Sequence, residues 1–280
     1  MTKKKWLIPL AAILCIVVFA GYRVMDRMAT DTKPPVIEIE EGELVVSALA
    51  EDSSLMEGVS AKDNRDGDVT ASLVVESVSM IDSTSGTVNV IYAAFDKAGN
   101  VTKAERNVTF SDYESPRFDL KNALVYTENS GFDVLTAITA QDMIDGNISH
   151  WIRATNLDQT TIGMAGEHQI QFRVTNSLGD LTALTLPVEV CPAGAYQGRV
   201  QLQDYLVYIQ VGELFDAKDY PVSFTLYGTE YSLEGRLGEN ITMEIINEVD
   251  NGVPGLYKVS YFVNLGEYTG YSKLFVIVEG

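Results

Sequence analysis

The sequence predicts an all-β protein, three tandem β-sandwiches preceded by one N-terminal helix. Three observations lead there. Beyond Pro34-Pro35 the chain shows no helical period, and short β-rich runs alternate with Gly, Asp and Asn turns every 8–12 residues. A patterned segment recurs after about 80 residues, which is too long for a solenoid turn and the right size for a small sandwich. Ahead of both lies one uncharged stretch, Trp6–Tyr22.

That stretch comes first in the chain. Met1–Lys5 is short and basic, and the 17 residues of Trp6–Tyr22 carry no charge. This is the composition of a signal peptide or a signal anchor. Val24 and Met25 lengthen the apolar run, Arg23 can snorkel, and Trp6 suits a membrane interface. The expected layout is therefore a cytoplasmic basic N-terminus (1–5), a signal anchor or transmembrane helix (6–25) and a polar linker (26–33). Lysines at 3, 4 and 5 favour staying inside, so the bulk of a single-pass cell-membrane protein would lie outside. The alternative is secretion after cleavage near Ala20, because Val18-Phe19-Ala20 precedes Gly21 with suitable spacing.

Composition narrows the partners. Hydrophobic residues make up 46% of the chain, enough to build packed cores. The net charge is −19, and six basic residues but only two acidic ones fall within residues 1–33, so the remainder is more acidic still. Such a surface repels phosphate backbones and excludes nucleic acid as a partner. It attracts basic partners and divalent cations. Two cysteines, Cys15 in the apolar run and Cys191 far downstream, allow neither a disulfide framework nor a cysteine metal site.

The repeats follow. Asp63-Asn64-Arg65-Asp66-Gly67-Asp68-Val69-Thr70 returns 79 residues later as Asp142-Met143-Ile144-Asp145-Gly146-Asn147-Ile148-Ser149. Gly86-Thr87-Val88-Asn89-Val90-Ile91-Tyr92 matches Gly166-Glu167-His168-Gln169-Ile170-Gln171-Phe172, and Gly255-Leu256-Tyr257-Lys258-Val259-Ser260-Tyr261 repeats the pattern again. Each glycine-led segment alternates apolar with polar residues, which is one buried face of a strand. Asp96-Lys97-Ala98-Gly99-Asn100 matches Asn176-Ser177-Leu178-Gly179-Asp180. The repeats are placed at 34–112, 113–192 and 193–280; the third lacks the Asp-Gly segment.

An Asp-Gly turn, a glycine-led strand and an Asp-x-x-Gly-Asn turn in one unit resemble the bacterial immunoglobulin-like domains of Gram-positive surface proteins. One such family is named after a pesticidal crystal protein. The resemblance covers 34–112 and 113–192 well and 193–280 in part. It implies immunoglobulin-like sandwiches used as stalk, adhesin or binding accessory, and it implies no chemistry.

Candidate sites are few. Asp63, Asp66, Asp68, Asp142 and Asp145 could gather oxygens around calcium, but the spacing is not that of an EF-hand loop. The Asp-Gly segments read first as turns, in which Gly67 and Gly146 supply a positive φ and the aspartates cap amides. No cofactor is expected, with calcium the possible exception. His168 lies in phase with Val88 and Tyr257 on an inner face, and His150 beside Trp151 at a surface. The sequence holds no Gly-x-Ser-x-Gly, no paired histidine ligands and no phosphate loop, so no enzyme is expected.

Ten of the fourteen tyrosines fall in 193–280. Tyr257 and Tyr261 share the buried phase and read as core. Tyr227, Tyr231, Tyr268 and Tyr271 lie near glycines and loop ends, where tyrosine serves recognition. The expected function is a non-catalytic, membrane-anchored surface spacer, adhesion or interaction module that meets an extracellular protein or glycan. The alternative is a carbohydrate-binding accessory with its ligand surface on the distal repeat.

Overall fold

The structure is a computed structural model that describes residues 7–29, 31–155, 163–233 and 241–280, with side chains of the first helix given at 10–23 and 25. The basic segment 1–5 lies outside the described residues. The chain divides into two compact units, Met1–Tyr113 and Glu114–Gly280.

The first unit begins with helix α1 (Leu7–Ala29). The side chains of Leu10, Ile13, Leu14, Ile16, Val17, Val18, Phe19 and Tyr22 are all exposed. Among the described residues no helix is long and apolar enough to cross a membrane.

The rest of this unit is seven strands in two sheets. β1 (Val36–Ile39), β3 (Val59–Asp63) and β4 (Gly67–Asp68) form one, in the order β1-β3-β4. β2 (Leu44–Val46), β5 (Val74–Asp82), β6 (Thr87–Phe95) and β7 (Val101–Phe110) form the other, in the order β2-β7-β6-β5. β2 runs parallel to β7; the other pairs are antiparallel. The alternation read from the sequence is visible in β6, where Val88, Val90 and Tyr92 are fully buried between half-buried neighbours. Gly86, just before β6, has φ +68, and a Cβ there would stand 2.3 Å from the carbonyl oxygen of Phe110. The position therefore demands glycine twice over, by conformation and by space.

The second unit starts by repeating this plan. β8 (Arg117–Leu120), β10 (Ile138–Asp142) and β11 (Gly146–Asn147) form one sheet, in the order β11-β10-β8. β9 (Val125–Thr127), β12 (Arg153–Thr155), β13 (Gly166–Thr175) and β14 (Leu181–Cys191) form the other, in the order β12-β13-β14-β9. Ile170, Phe172 and Val174 line the buried face of β13, and His168 shares that face half-buried at its open end.

The last part of the unit departs from the expected pair of sheets. β15 (Gly198–Leu202), β16 (Leu206–Gln210), β17 (Pro221–Leu226), β18 (Thr229–Ser232), β19 (Ile241–Asn247), β20 (Gly255–Leu265) and β21 (Tyr268–Glu279) are joined in one seven-stranded sheet. The long β21 makes the join. Its first residues pair with β15 through Gly198↔Gly270, and its last with β16 over Leu206–Gln210. Gly198 and Gly270 permit this, because a Cβ on either would lie 2.2 Å from the ring of Phe224. The boundary read at 192/193 also marks no break in packing. One buried cluster runs from Phe118 through Phe172 and Phe224 to Val278, and the Tyr208 hydroxyl donates to the carbonyl of Phe118 at 3.1 Å.

Candidate functional site

The Asp-Gly segments form the same hairpin turn in both repeats. In the first, Asp63 Oδ1 accepts from the amides of Arg65 (2.7 Å) and Asp66 (2.8 Å), and Gly67 has φ +76. In the second, Asp142 Oδ1 accepts from Ile144 (2.9 Å) and Asp145 (2.8 Å), and Gly146 has φ +67. The other acidic side chains secure neighbouring segments. Asp66 Oδ2 accepts from the Lys97 amide at 2.8 Å, and Asp145 Oδ2 from that of Ser177 at 2.7 Å. Asp68 Oδ1 accepts from Thr70 and Asn147 Oδ1 from Ser149. Each Asp-Gly turn is thus stitched to the second turn of its own repeat, Asp96–Asn100 or Asn176–Asp180, which is why the two motifs travel together.

Asp63 differs from Asp142 in its second oxygen. Its Oδ2 is buried and lacks a hydrogen-bond partner, as is Oδ2 of Asp31. Asp31, Asp63 and Asp96 each bring a carboxylate oxygen within 4.8 Å of the others. Asp63 and Asp96 are only 7% and 8% exposed. The amides of Asp66 and Arg65 hold the Asp63 carboxyl below the usual carboxylate range. Arg65 Nε stands 3.8 Å from Asp31 Oδ2. The sequence reading had grouped Asp63 with Asp66 and Asp68; the structure groups it instead with Asp31, from the segment read as linker, and Asp96, from the second turn.

The four tyrosines read as contact residues separate into two classes. Tyr227 is 75% exposed, and its ring meets that of the exposed Tyr268 edge-on, with centroids 5.7 Å apart at 88°. Tyr227 lies in the turn between β17 and β18, and Tyr268 is the first residue of β21, just after the turn from β20. Tyr227 also has φ +48, a left-handed conformation uncommon for a bulky residue. Tyr231 is half-buried, 6.2 Å from the ring of Phe224, and belongs with the core. Tyr271 corrects the reading of a loop end. It lies within β21, is 6% exposed, and its hydroxyl donates to Glu189 Oε2 at 2.8 Å. The physical reason is that β21 begins at Tyr268, so Gly270 is a strand residue that admits the Phe224 ring and not a loop. Of the two tyrosines read as core, Tyr261 is fully buried, and Tyr257 is half-buried with its hydroxyl donating to Val253 O.

Tyr271 nevertheless borders an open feature, a groove of about 270 Å³ where β9 and β15 meet. Tyr126, Tyr196, Arg199 and Tyr205 share its wall. The Tyr126 hydroxyl is buried without a hydrogen-bond partner, and burial pushes its pKa up to about 12. Tyr126 stacks on Phe132 at 3.9 Å, so its ring is held in place. Tyr126 escaped the sequence reading because it lies outside the tyrosine-rich third repeat. The two histidines are apart: His150 lies 5.1 Å from the Trp151 ring, and His168 Nε2 is 2.9 Å from Met164 O.

No family model matches the sequence. The chain is 26% identical over 243 residues to the pesticidal crystal protein Cry22Aa of Bacillus thuringiensis, a match that covers 83% of this chain and 31% of that protein. The chain thus spans about a third of that relative. Among solved structures, a carbohydrate-binding module in complex with GlcNAc, with INT domains, from Clostridium perfringens ZmpB is 15% identical (87% of this chain, 41% of that one, TM-score 0.23). Mouse cadherin-23 repeats EC22-24 are 13% identical (89% and 99%, TM-score 0.22). The extracellular domain of protocadherin gamma-B4 is 10% identical (89% and 50%, TM-score 0.21). TM-scores of this size carry no inference about a ligand or a partner.

Proposed function

We propose that this chain is a non-catalytic, membrane-tethered extracellular module whose β-sandwiches act as a spacer and whose last part presents a recognition surface to a protein or glycan. The observation that carries this reading is the Tyr227–Tyr268 pair. Two exposed aromatic rings meet at the β17–β18 turn and the start of β21, and one of them is held in a backbone conformation that folding alone does not favour. Rigid, amphipathic tyrosine rings give large contact area at small entropic cost. The tether rests on α1, whose described side chains are exposed and, apart from Arg23, uncharged; an apolar helix of that kind needs lipid or protein around it. The acidic surface keeps nucleic acid away.

The test uses the full chain in lipid vesicles, with the sandwiches outward. External protease should remove the sandwiches and leave a lipid-embedded fragment. Bound to arrays of cell-wall glycans and to purified envelope proteins, the wild-type chain should retain a ligand that Tyr227→Ala and Tyr268→Ala lose without a change in melting temperature. A mature protein found soluble and beginning at Gly21 would refute the tether, and equal binding by both variants would refute the surface.

The groove favours a second reading, a carbohydrate-binding accessory. Tyrosine rings, the Arg199 guanidinium and the unpartnered Tyr126 hydroxyl suit a sugar's mixed polar and apolar faces. Under that reading Tyr126→Phe and Arg199→Ala abolish glycan binding, while Tyr227→Ala does not.

A further inference from the structure

The first sandwich and the second solve one problem differently. Asp63 and Asp142 hold the same place in their repeats and make the same two amide hydrogen bonds through Oδ1. In the second repeat, Asp142 Oδ2 accepts from Asn176 Nδ2 at 3.0 Å, and both side chains are buried and satisfied. In the first repeat the residue in the place of Asn176 is Asp96, which has no N–H to give. Asp96 is already committed to Asn100, whose amide and Nδ2 donate to its two oxygens at 2.7 and 2.6 Å. Asp63 Oδ2 is left buried beside a second anion, with Asp31 Oδ2 a third. A buried carboxylate oxygen without a donor is costly, and three carboxylates together repel one another. The Arg65 guanidinium at 3.8 Å offsets one of the three charges.

We propose that the first sandwich binds one calcium ion between Asp31, Asp63 and Asp96. Three carboxylates less one guanidinium leave two negative charges, the complement of a divalent cation. The donors are all oxygen, which selects a hard ion. The carbonyl oxygens of Asp31 and Lys33, which lie 3.2 and 3.4 Å from Asn100 Nδ2, are further oxygen donors at hand, and water supplies the rest. Calcium accepts such a mixed and irregular set, whereas magnesium demands near-octahedral geometry and keeps more of its water. The ion has a mechanical consequence. Asp31 follows closely on Ala29, the last residue of α1, while Asp63 and Asp96 belong to strand β3 and the turn after β6. The ion therefore fastens the exit of the helix to the sandwich, adding to the contacts that Asn100 and Arg65 make with Asp31 and Lys33.

The experiment is calorimetric titration of calcium chloride, and separately magnesium chloride, into the chelator-stripped full chain in detergent micelles, with melting curves alongside. One calcium per chain is expected, with Kd about 10⁻⁴–10⁻³ M, the range of extracellular modules. The melting temperature of the first unit should rise with calcium. Asp96→Asn, which copies the second repeat, should fold and lose the calcium response. Asp31→Asn lies outside both sheets, should leave them folded as read by the melting curve, and should weaken binding at least tenfold. Asp66→Asn should leave it unchanged. A folded wild-type chain that takes up no calcium at millimolar concentration overturns the proposal. So does binding that survives both Asp96→Asn and Asp31→Asn, and so does magnesium binding as tight as calcium.

Discussion

The hydroxyl of Tyr261 donates to the carbonyl oxygen of Ala217 at 2.8 Å. Tyr92, at the same place in the first repeat's glycine-led strand, donates to the carbonyl of Leu55 at 2.6 Å. Each bond ties the centre of a buried strand to a short helical turn, Ala217–Asp219 or Asp52–Leu55. The second repeat has Phe172 there. Tyr261→Phe should therefore cost about 1–3 kcal/mol, the penalty for an orphaned buried carbonyl. Tyr261→Ala should cost about 3–5 kcal/mol by adding a cavity. Urea unfolding of the full chain measures both, and a Tyr261→Phe variant as stable as wild type would show that the ring alone matters.

Lys273 makes a second prediction. Its side chain is 3% exposed, and Nζ lies 2.6 Å from Glu189 Oε2 and 3.8 Å from Glu167 Oε2. Glu189 also receives the Tyr271 hydroxyl. Removing Glu189 leaves the buried ammonium to Glu167 at 3.8 Å, whereas removing the lysine leaves Glu189 with the Tyr271 donor and partial access to water. Glu189→Ala should then destabilise the second unit by about 3–5 kcal/mol and Lys273→Met by clearly less. Equal losses in chemical denaturation would contradict this asymmetry.

Much of the fold was legible in the sequence because it is written in period-two alternation, and Val88, Val90 and Tyr92 face inward as that pattern requires. What escaped was contact between segments distant in sequence. Nothing in the local pattern of Gly270 distinguishes a loop glycine from a strand glycine that admits the Phe224 ring, so Tyr271 was read as exposed. The third repeat's single sheet depends on the same glycine pair. For the acidic cluster, a signal was present and unused. Asp96 aligns with Asn176 and Asn100 with Asp180, so the two turns exchange their charged ends. Asp31 could not have been added, since only folding brings the segment after α1 back to β3.

Alkaline stability follows from the buried tyrosines. Burial pushes Tyr126 and Tyr208 up to about 12, and raises Tyr261 and Tyr271 as well. A folded pKa above the unfolded value of about 10 means that the folded state holds more protons in that range. The associated stability is complete below about pH 10 and is lost as pH rises towards 12. A tyrosinate absorbance titration should show Tyr126, Tyr208, Tyr261 and Tyr271 ionising in one cooperative step that coincides with loss of β signal. A smooth titration of all tyrosines with the fold intact would contradict the burial.

The last prediction separates recognition from folding at one residue. Tyr227 and Gly228 form the two-residue turn between β17 and β18, with φ +48 and +82, and Leu226 pairs with Thr229 across it. Two successive positive φ values define a type I′ turn, for which Asn-Gly is the favoured pair. A side chain in the left-handed region costs about 1–2 kcal/mol, and asparagine offsets part of this by local hydrogen bonding. Tyr227→Asn should thus stabilise the second unit by about 0.5–1 kcal/mol, the size of other gains from conformationally compatible substitutions. The only ring contact it gives up among the described residues is the edge-on one with Tyr268, which is itself exposed. If the tyrosine serves folding, removing it must destabilise. If it serves a partner, the same change must strengthen the fold and weaken binding to whatever the wild-type chain retains on the glycan and envelope-protein arrays. A destabilised Tyr227→Asn would return this residue to a structural role, and a stabilised variant that binds as well as wild type would move the recognition surface away from this hairpin.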